Sequence, residues 1–402
     1  MKFIHCSDIH LGRKPAGAFG DYSAKRYNDY FAAFAHIIDT AIKRNSDFII
    51  ISGDLTDKKE LHPEALERIE QILARPKDAG IMVYAIEGNH DNITPGRESE
   101  SWLIYLENKG LLKRPYTKFE DGEYRFYPVL HRDLIIYGLG YPGLFADEVM
   151  ARLSEHIENS DAAKNIIIVH TAIAGNELMP GTVSPATVEL LKGKALYIAG
   201  GHFHSFSAAP NNEPVFFVPG SAEYWELSEH SQKKGMILFD TDTKAYEFIE
   251  SKKRKIHYRS FEHNAENEIG FLDEFRAFAG TLEIAANEDI VKIDIKHNNQ
   301  FYADTAYCES IIKEKGALKA SVELKSTGSE SALDLNTAVT GSGQIEREVI
   351  STWKEFSPYA DITADSLDMM KKHTDDEHPE LIHEVFDNLL AVILGDGETD
   401  ED

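Results

Sequence analysis

The sequence predicts an α/β fold: two sheets packed as a sandwich flanked by helices, then a small α+β domain and C-terminal helices. Three observations point to it. Short, continuously apolar runs such as Phe48-Ile49-Ile50-Ile51 stop at small-residue turns, the pattern of strands covered on both faces. Stretches with apolar residues at helical spacing separate the first of these runs. Later runs (Val215–Val218, Gly235–Asp240 and Ala245–Ile249) are divided by turn residues, as antiparallel strands are.

Lys2–Ser7 reads as a buried first strand. From Lys25 to Arg44, Tyr27, Phe31, Phe34, Ala35, Ile38 and Ile42 recur on one helical face, and the strand at Phe48 completes a βαβ unit. A right-handed crossover sets both strand ends on one edge of the sheet. Pro63–Ala74 is a second helix with Pro63 in its first turn, and Ile81–Ile86 a third strand. Glu98–Leu111 is a helix whose apolar face (Trp102, Leu103, Leu106, Leu111) either packs on the sheet or serves a dimer contact. Tyr124–Val129 and Asp133–Leu139 read as paired strands of the second sheet. A helix over Asp147–Glu158 and strands at Asn165–Val169 and Ala195–Ala199 follow. These elements make a first domain of residues 1–260.

The texture then changes. Ile290–Ile295 alternates, Ala303–Lys315 is helical in pattern and Ala317–Leu324 alternates again, giving a small α+β domain over residues 261–325. Ser, Thr and Gly mark a linker at 326–343. Within 344–395, Leu381, Ile382, Val385, Phe386, Leu389, Leu390 and Ile393 form an apolar helical stripe. It either packs back on its own domain or docks on another protein. Residues 396–402 are an acidic, solvated tail.

No apolar run approaches the length of a bilayer span, and His5 and Asp8 interrupt what would have to be a signal peptide's apolar core, so a cytoplasmic protein without a membrane segment is expected. Two distant cysteines, Cys6 and Cys308, fit a reducing compartment and read as core thiols. The net charge of −26 counts against a protein that coats nucleic acid through a basic surface. Half of that charge, however, sits in residues 345–402, with 17 Asp/Glu against 4 Lys/Arg, which leaves room for a local basic groove elsewhere. Arg13 and Lys14 follow the first ligand-rich loop, and Lys58 and Lys59 the second, where a phosphate backbone could meet them. Lys252–Lys255 is read as a solvated face.

Five strand-like segments end in residues that bind metals: Asp8 and His10; Asp54; Asn89 and His90; His170; His202 and His204. Each alone has an ordinary role, a cap, a turn or a hydrogen-bonded core histidine. All five together point to a borderline-hard divalent ion such as Mn, Fe or Zn. With His90 set aside, seven ligands are too many for one ion and suit two ions about 3.5–4 Å apart sharing a carboxylate, the arrangement of two-metal phosphoryl chemistry. Asp54 is the candidate for the shared position. His90, next to Asn89, faces the scissile phosphate as general acid or charge stabiliser if the loop continues extended.

Asp8-Ile9-His10, Gly53-Asp54, Gly88-Asn89-His90-Asp91, His170 and Gly201-His202-Phe203-His204 together resemble the calcineurin-like metallophosphoesterases. His5–Gly12, the helix at Leu103–Leu111, Pro219–Glu223 and Lys234-Gly235 look like the SbcD-type, or meiotic-recombination-eleven, DNA repair nucleases. The resemblance is good over residues 1–260, and beyond them follows the layout more than the sequence. It implies a four-layer αββα metallophosphoesterase sandwich with a small α+β capping domain and C-terminal helices. One metal would be held by Asp8, His10, Asp54 and His204, and a second by Asp54, Asn89, His170 and His202, with His90 catalytic. It also implies two manganese ions, exonuclease action on duplex ends and endonuclease action on single strands. The small domain would contact DNA, a homodimer would form through the helix at Trp102, and the Leu381–Ile393 stripe would meet an SMC-like coiled-coil ATPase of the SbcC type. Many members of that family carry His three residues after the bridging Asp; here that residue is Asp57, and His62 is the nearby substitute.

Two further readings compete. A small-molecule phosphodiesterase would suit the acidic charge, and a non-catalytic scaffold could tether DNA ends. The complete ligand set argues against the scaffold, and the additional domain argues against a compact small-molecule enzyme.

Overall fold

The computed structural model describes residues 1–15, 20–91, 101–158, 160–174, 181–297 and 301–326, with 362, 363 and 366. The chain divides into two compact units, Met1–Thr327 and Gly328–Asp402. Of the second, only Ile362, Thr363 and Ser366 are described, all helical. The linker, the stripe from Leu381 to Ile393 and the acidic tail lie outside the described residues.

The first sheet is built on three parallel strands, Lys2–Cys6, Phe48–Ser52 and Met82–Ile86, with Phe48–Ser52 between the other two. The helices Gly20–Lys43 and Pro63–Asp78 supply the crossovers. The hairpin Gly235–Asp240 and Tyr246–Glu250 adds antiparallel beside Lys2–Cys6. The second sheet has six strands in the order Ser207–Ala209, Phe216–Val218, Tyr197–Ala199, Asn165–Ile168, Leu134–Gly138 and Val129–His131.

Alternate residues of each strand enter different cores, and this makes the four layers. Ile4, Cys6, Ile49 and Ile51 pack outward on the first two helices through Phe34, Ile37, Ile69 and Leu73. Phe3, Phe48 and Ile50 pack inward on Ile136, Ile166, Tyr197 and Phe217 of the second sheet. The second sheet's outer face, with Ile167, Val169 and Ile198, is covered by Val149, Met150, Leu153 and Leu191 of helices Ala146–His156 and Pro185–Leu191. Burying each such side chain stabilises the fold by about 1.5–3 kcal/mol.

Two expected pairings differ. The segment Tyr124–Val129 does not pair with Asp133–Leu139. Pro128 lacks an N–H and divides it: Glu123–Tyr127 pairs with Tyr116–Glu120, while Val129–His131 pairs with Leu134–Gly138. The turn of the first hairpin is Asp121-Gly122, both at positive φ, as a two-residue hairpin turn requires. Nor does Phe216–Val218 join Gly235–Asp240; it lies in the other sheet, parallel to Tyr197–Ala199.

The small α+β element is three parallel strands, Ile256–Glu262, Ile290–His297 and Lys319–Ser326, joined through helices Glu268–Gly280 and Thr305–Glu314. Val291, Ile293 and Ile295 face Phe271, Phe275 and Ile312 in its own core. The first of these strands begins before residue 261. Cys6 and Cys308 are both buried free thiols.

Candidate metal centre

The parallel strands of both sheets stop at one rim, and the backbone beyond them is forced into uncommon conformations. Asp8, His10, Asp54 and His202 all have positive φ, between 51 and 74°. Such residues cost roughly 1–3 kcal/mol each and persist only where their surroundings over-determine them. Here the first two loops are laced together: the Ile9 and His10 amides donate to Asp54 O at 2.9 and 3.0 Å, and the Leu11 amide to Leu55 O at 2.9 Å. The buried Asp91 carboxylate ties the third loop to the second, accepting from the Leu55 and Thr56 amides, the Thr56 hydroxyl and the Gly88 amide. Gly88 must be glycine, because a Cβ there would land on the Asp54 carboxylate and amide.

The eight strand-end residues are brought together. Asp8, His10 and His204 form one group of ligand atoms and Asp8, Asp54 and His170 another. His170 Nε2 lies 3.2 Å from Asp54 Oδ2, 3.1 Å from Asn89 Oδ1 and 4.0 Å from Asp8 Oδ1. His202 Nδ1 is 3.2 Å from the same Asn89 oxygen. His10 Nε2 lies 3.3 Å from His204 Nε2 and 3.8 Å from Asp54 Oδ2. Three imidazoles have their tautomer fixed from behind. The Nδ1–H of His170 donates to Ser52 O at 2.7 Å, that of His204 to Glu229 at 3.1 Å and that of His90 to Asp57 O at 2.8 Å. In each the Nε2 lone pair is left for a ligand or a proton. Glu229 is in turn held by Lys234 Nζ at 2.9 Å. The His90 amide donates to Asp54 Oδ1 at 2.9 Å, so one carboxylate positions the loop that carries His90.

The electrostatics call for a cation. Burial pushes the Asp8 carboxyl up, and both its oxygens, with His10 Nδ1, are buried without a hydrogen-bond partner. Burial also pushes the Asp54 carboxyl up, but His170, His10 and His90 outweigh it and hold Asp54 well below the usual carboxylate range. His170 is disfavoured as a cation by burial, yet Asp54 and Asp8 lift it to about 9. Buried carboxylates that draw a proton onto a neighbouring imidazole, and polar atoms with no protein partner, fit a divalent ion. The mixed carboxylate, imidazole and amide donors suit the borderline-hard ions.

Of the other expected contacts, Arg13 reaches the centre's edge: Nη1 is 3.4 Å from Asp57 Oδ1, and its guanidinium carbon lies 3.0 Å from the centroid of the Trp225 ring. Lys14, Lys58 and His62 line a separate cavity of about 170 Å³ that Asp57 also borders. Lys59 is exposed, and its carbonyl accepts from Trp102 Nε1 at 2.7 Å. In the helix Trp102–Asn108, Leu103 and Leu106 are buried in this chain's own core, leaving Trp102, Ile104 and Tyr105 nearer its surface. Asp57, the departure from the family pattern, is buried with Oδ1 3.8 Å from His10 Nδ1, in a third group with His10 and His90.

Four participants carry little sequence signal. Asp91, beside Asn89-His90, has no sequence mark of its role as the tie between loops. Trp225, Glu229 and Lys234 come from an aperiodic stretch, and only the Lys234-Gly235 dipeptide carried a signal. The Trp225 ring centroid lies 4.4 Å from that of His10, 5.1 Å from His204 and 5.5 Å from His90.

Residues 1–206 match the model of the calcineurin-like phosphoesterases, and the chain belongs to that family. It is a metal-dependent phosphoesterase, a hydrolase. Among curated proteins it is 26% identical over 260 residues to the uncharacterized metallophosphoesterase YhaO of Bacillus subtilis, covering 62% of this chain and 60% of that protein. To the DNA double-strand break repair protein Mre11 of Methanococcus maripaludis it is 28% identical over 252 residues, covering 60% and 63%. To the Mre11 protein of Methanosarcina mazei it is 24% identical over 337 residues, covering 80% and 49%. The chain thus spans about half to three-fifths of the length of these relatives. Among solved structures, TT1561 of Thermus thermophilus aligns with a TM-score of 0.38 at 13% identity, over 62% of this chain and 98% of that one. No helix among the described residues is long and apolar enough to cross a membrane.

Proposed function

We propose that this chain is a manganese-dependent DNA nuclease of the SbcD type, hydrolysing phosphodiesters at duplex ends and in single strands during double-strand-break repair. The observation that carries the reading is the convergence of Asp8, His10, Asp54, Asn89, His170, His202 and His204 around His90. The Mre11 relatives, which extend past the family's common domain in Methanosarcina mazei, support DNA as the substrate. In this reading Asp8, His10, Asp54 and His204 hold one ion and Asp54, Asn89, His170 and His202 the other. Bound divalent ions supply Lewis acidity and lower the pKa of water.

The chain's own groups do the rest. The Ser52 carbonyl and the Glu229 carboxylate orient the His170 and His204 rings, and Asp57 O orients His90 so that its Nε2 can pass a proton to the leaving oxygen. Trp225 and the Arg13 guanidinium close one side of the imidazole cluster against water. The helix at Trp102 serves a homodimer. The stripe Leu381–Ile393 binds an SMC-like ATPase, so deleting residues 379–394 abolishes that binding and spares the nuclease.

The test is Mn-dependent digestion of linear duplex and single-stranded DNA, with bis(p-nitrophenyl) phosphate in parallel. Wild type is expected to cut DNA, and His90→Ala to lose about 10²–10⁴-fold in kcat. Hydrolysis of the small ester with none of DNA at matched metal would replace this reading by that of a small-molecule phosphodiesterase.

A further inference from the structure

Trp225 does more than wall off the histidines. It borders a cleft of about 690 Å³ that reaches the small α+β element, lined also by Arg13, Tyr22, Tyr224, Lys313 and Lys319 and by the acidic Asp21 and Glu226. Among the described residues, the cleft meets the ligand cluster only through Trp225 and Arg13, which contact His10, His204 and Asp57. The end near the metals is aromatic and planar. There Trp225 is half-buried, its backbone amide is anchored by Glu229 Oε2 at 2.7 Å, and the Arg13 guanidinium stacks on its ring. Arg13 is held by Asp57, with Nη1 at the long distance of 3.4 Å, and by the Tyr30 oxygen, while its Nε is buried with no partner. On the side of the small element the cleft is lined by Lys313 and Lys319. The segment carrying Trp225 is also rigidly held. Tyr224 O accepts from Arg26 at 2.7 Å and from the Tyr30 hydroxyl at 2.9 Å, and the His230 ring stacks on Tyr258 at 4.1 Å.

A fixed aromatic–guanidinium stack beside a phosphoester centre, opening into a slot that two lysines line, has the chemistry of a nucleotide site. Bases stack on Trp and Arg planes whatever their sequence, and the lysines can meet the next phosphate. We propose that this cleft is a subsite that stacks the nucleobase adjoining the scissile phosphate on the Trp225–Arg13 pair. The enzyme therefore selects phosphodiesters carrying a nucleoside over base-free ones. This inference rests on the phosphodiester reading above and adds the group beside the reacting bond.

The experiment compares four chromogenic diesters: the 5′- and 3′-(p-nitrophenyl phosphates) of thymidine and the same two esters of base-free deoxyribose. The wild-type, Trp225→Leu and Trp225→Phe proteins are assayed with manganese. Base stacking of about 1–3 kcal/mol corresponds to a roughly 5- to 150-fold preference. Wild type is expected to favour at least one thymidine ester over its base-free partner by that factor, mainly through KM. Trp225→Leu should erase the preference and Trp225→Phe retain most of it. Equal rates on thymidine and base-free esters in wild type would overturn the subsite. So would a Trp225→Leu loss of the same size on both, which would mean that the ring only props the histidines. An oligothymidylate assayed alongside separates the two ideas: if it stays uncut while the base preference holds, the nuclease reading fails and the subsite stands.

Discussion

The Asp54 carboxylate turns one oxygen to His170 and His10 and takes the His90 amide on the other. Asn in its place removes the negative charge from both sets of ligands. Asp54→Asn is therefore expected to lower kcat/KM with manganese by more than 100-fold. Asp57→Ala removes a neighbour of His10 and Arg13 without removing a ligand, a change typically worth about 10–100-fold. Steady-state kinetics on one phosphodiester compare the two, and equal losses would mean that Asp54 is not the shared residue. Gly88 belongs to the same argument. Gly88→Ala places a methyl group on the Asp54 carboxylate, so calorimetric titration with manganese is expected to show affinity reduced by more than tenfold, whereas unchanged affinity would show that the second and third loops can part. If Arg13 meets a phosphate through its planar fork, as proposed, Arg13→Lys should recover only part of the KM effect of Arg13→Ala on a phosphodiester.

Between the sheets, directly behind the ligand loops, the strands are pinned by a chain of buried hydrogen bonds. The Ser52 hydroxyl donates to Gly200 O at 2.7 Å and accepts from His5 Nε2–H at 2.8 Å. The other His5 nitrogen accepts from the Tyr197 hydroxyl at 2.8 Å. Each donor has one acceptor only while His5 is neutral, and burial pushes its pKa down to about 3. The unfolded chain binds a proton at His5 below about 6.5, whereas the folded chain does not until about 3. The neutral ring's contribution to stability is therefore full above 6.5 and is lost progressively as pH falls toward 3, by a few kcal/mol. His5→Gln should flatten the pH dependence of the denaturation midpoint between 6.5 and 4. An unchanged slope would show that other groups govern acid stability.

These strand ends were legible in the sequence because each closes an uninterrupted apolar run. What was missed lacks such a run. Tyr116–Glu120 is half exposed and shows no apolar continuity, and Asp121-Gly122 was its only mark. Trp225 and Glu229 follow Gly220 in a stretch with neither helical nor strand period, so only the folded geometry brings them to His10 and His204. Asp57 departs from the family pattern in the sequence itself, but its backbone role in orienting His90 has no sequence signature.

On the scale of the Met1–Thr327 unit, the sandwich and the small element are joined by ion pairs rather than by apolar contact alone. Arg254 binds Asp29 at 2.6 Å and Glu288 at 2.8 Å, and Lys25 binds Glu288 at 2.8 Å. The buried Arg26 connects Asp29 and Glu223 to the backbone beside Trp225. Arg254→Ala should therefore weaken nucleoside-ester binding about as much as it loosens the small element, with KM rising several-fold in proportion to faster amide exchange of Ile256–Glu262; a KM that stays constant while exchange rises would separate the two. In the proposed two-ion arrangement, six residues bring ligands to either side of Asp54. Electron paramagnetic resonance of the manganese-loaded protein tests it most directly. Wild type is expected to bind two ions per chain and give the broadened signal of an exchange-coupled pair, which Asp54→Asn reduces to that of a single ion. One uncoupled manganese per chain in wild type would contradict the account.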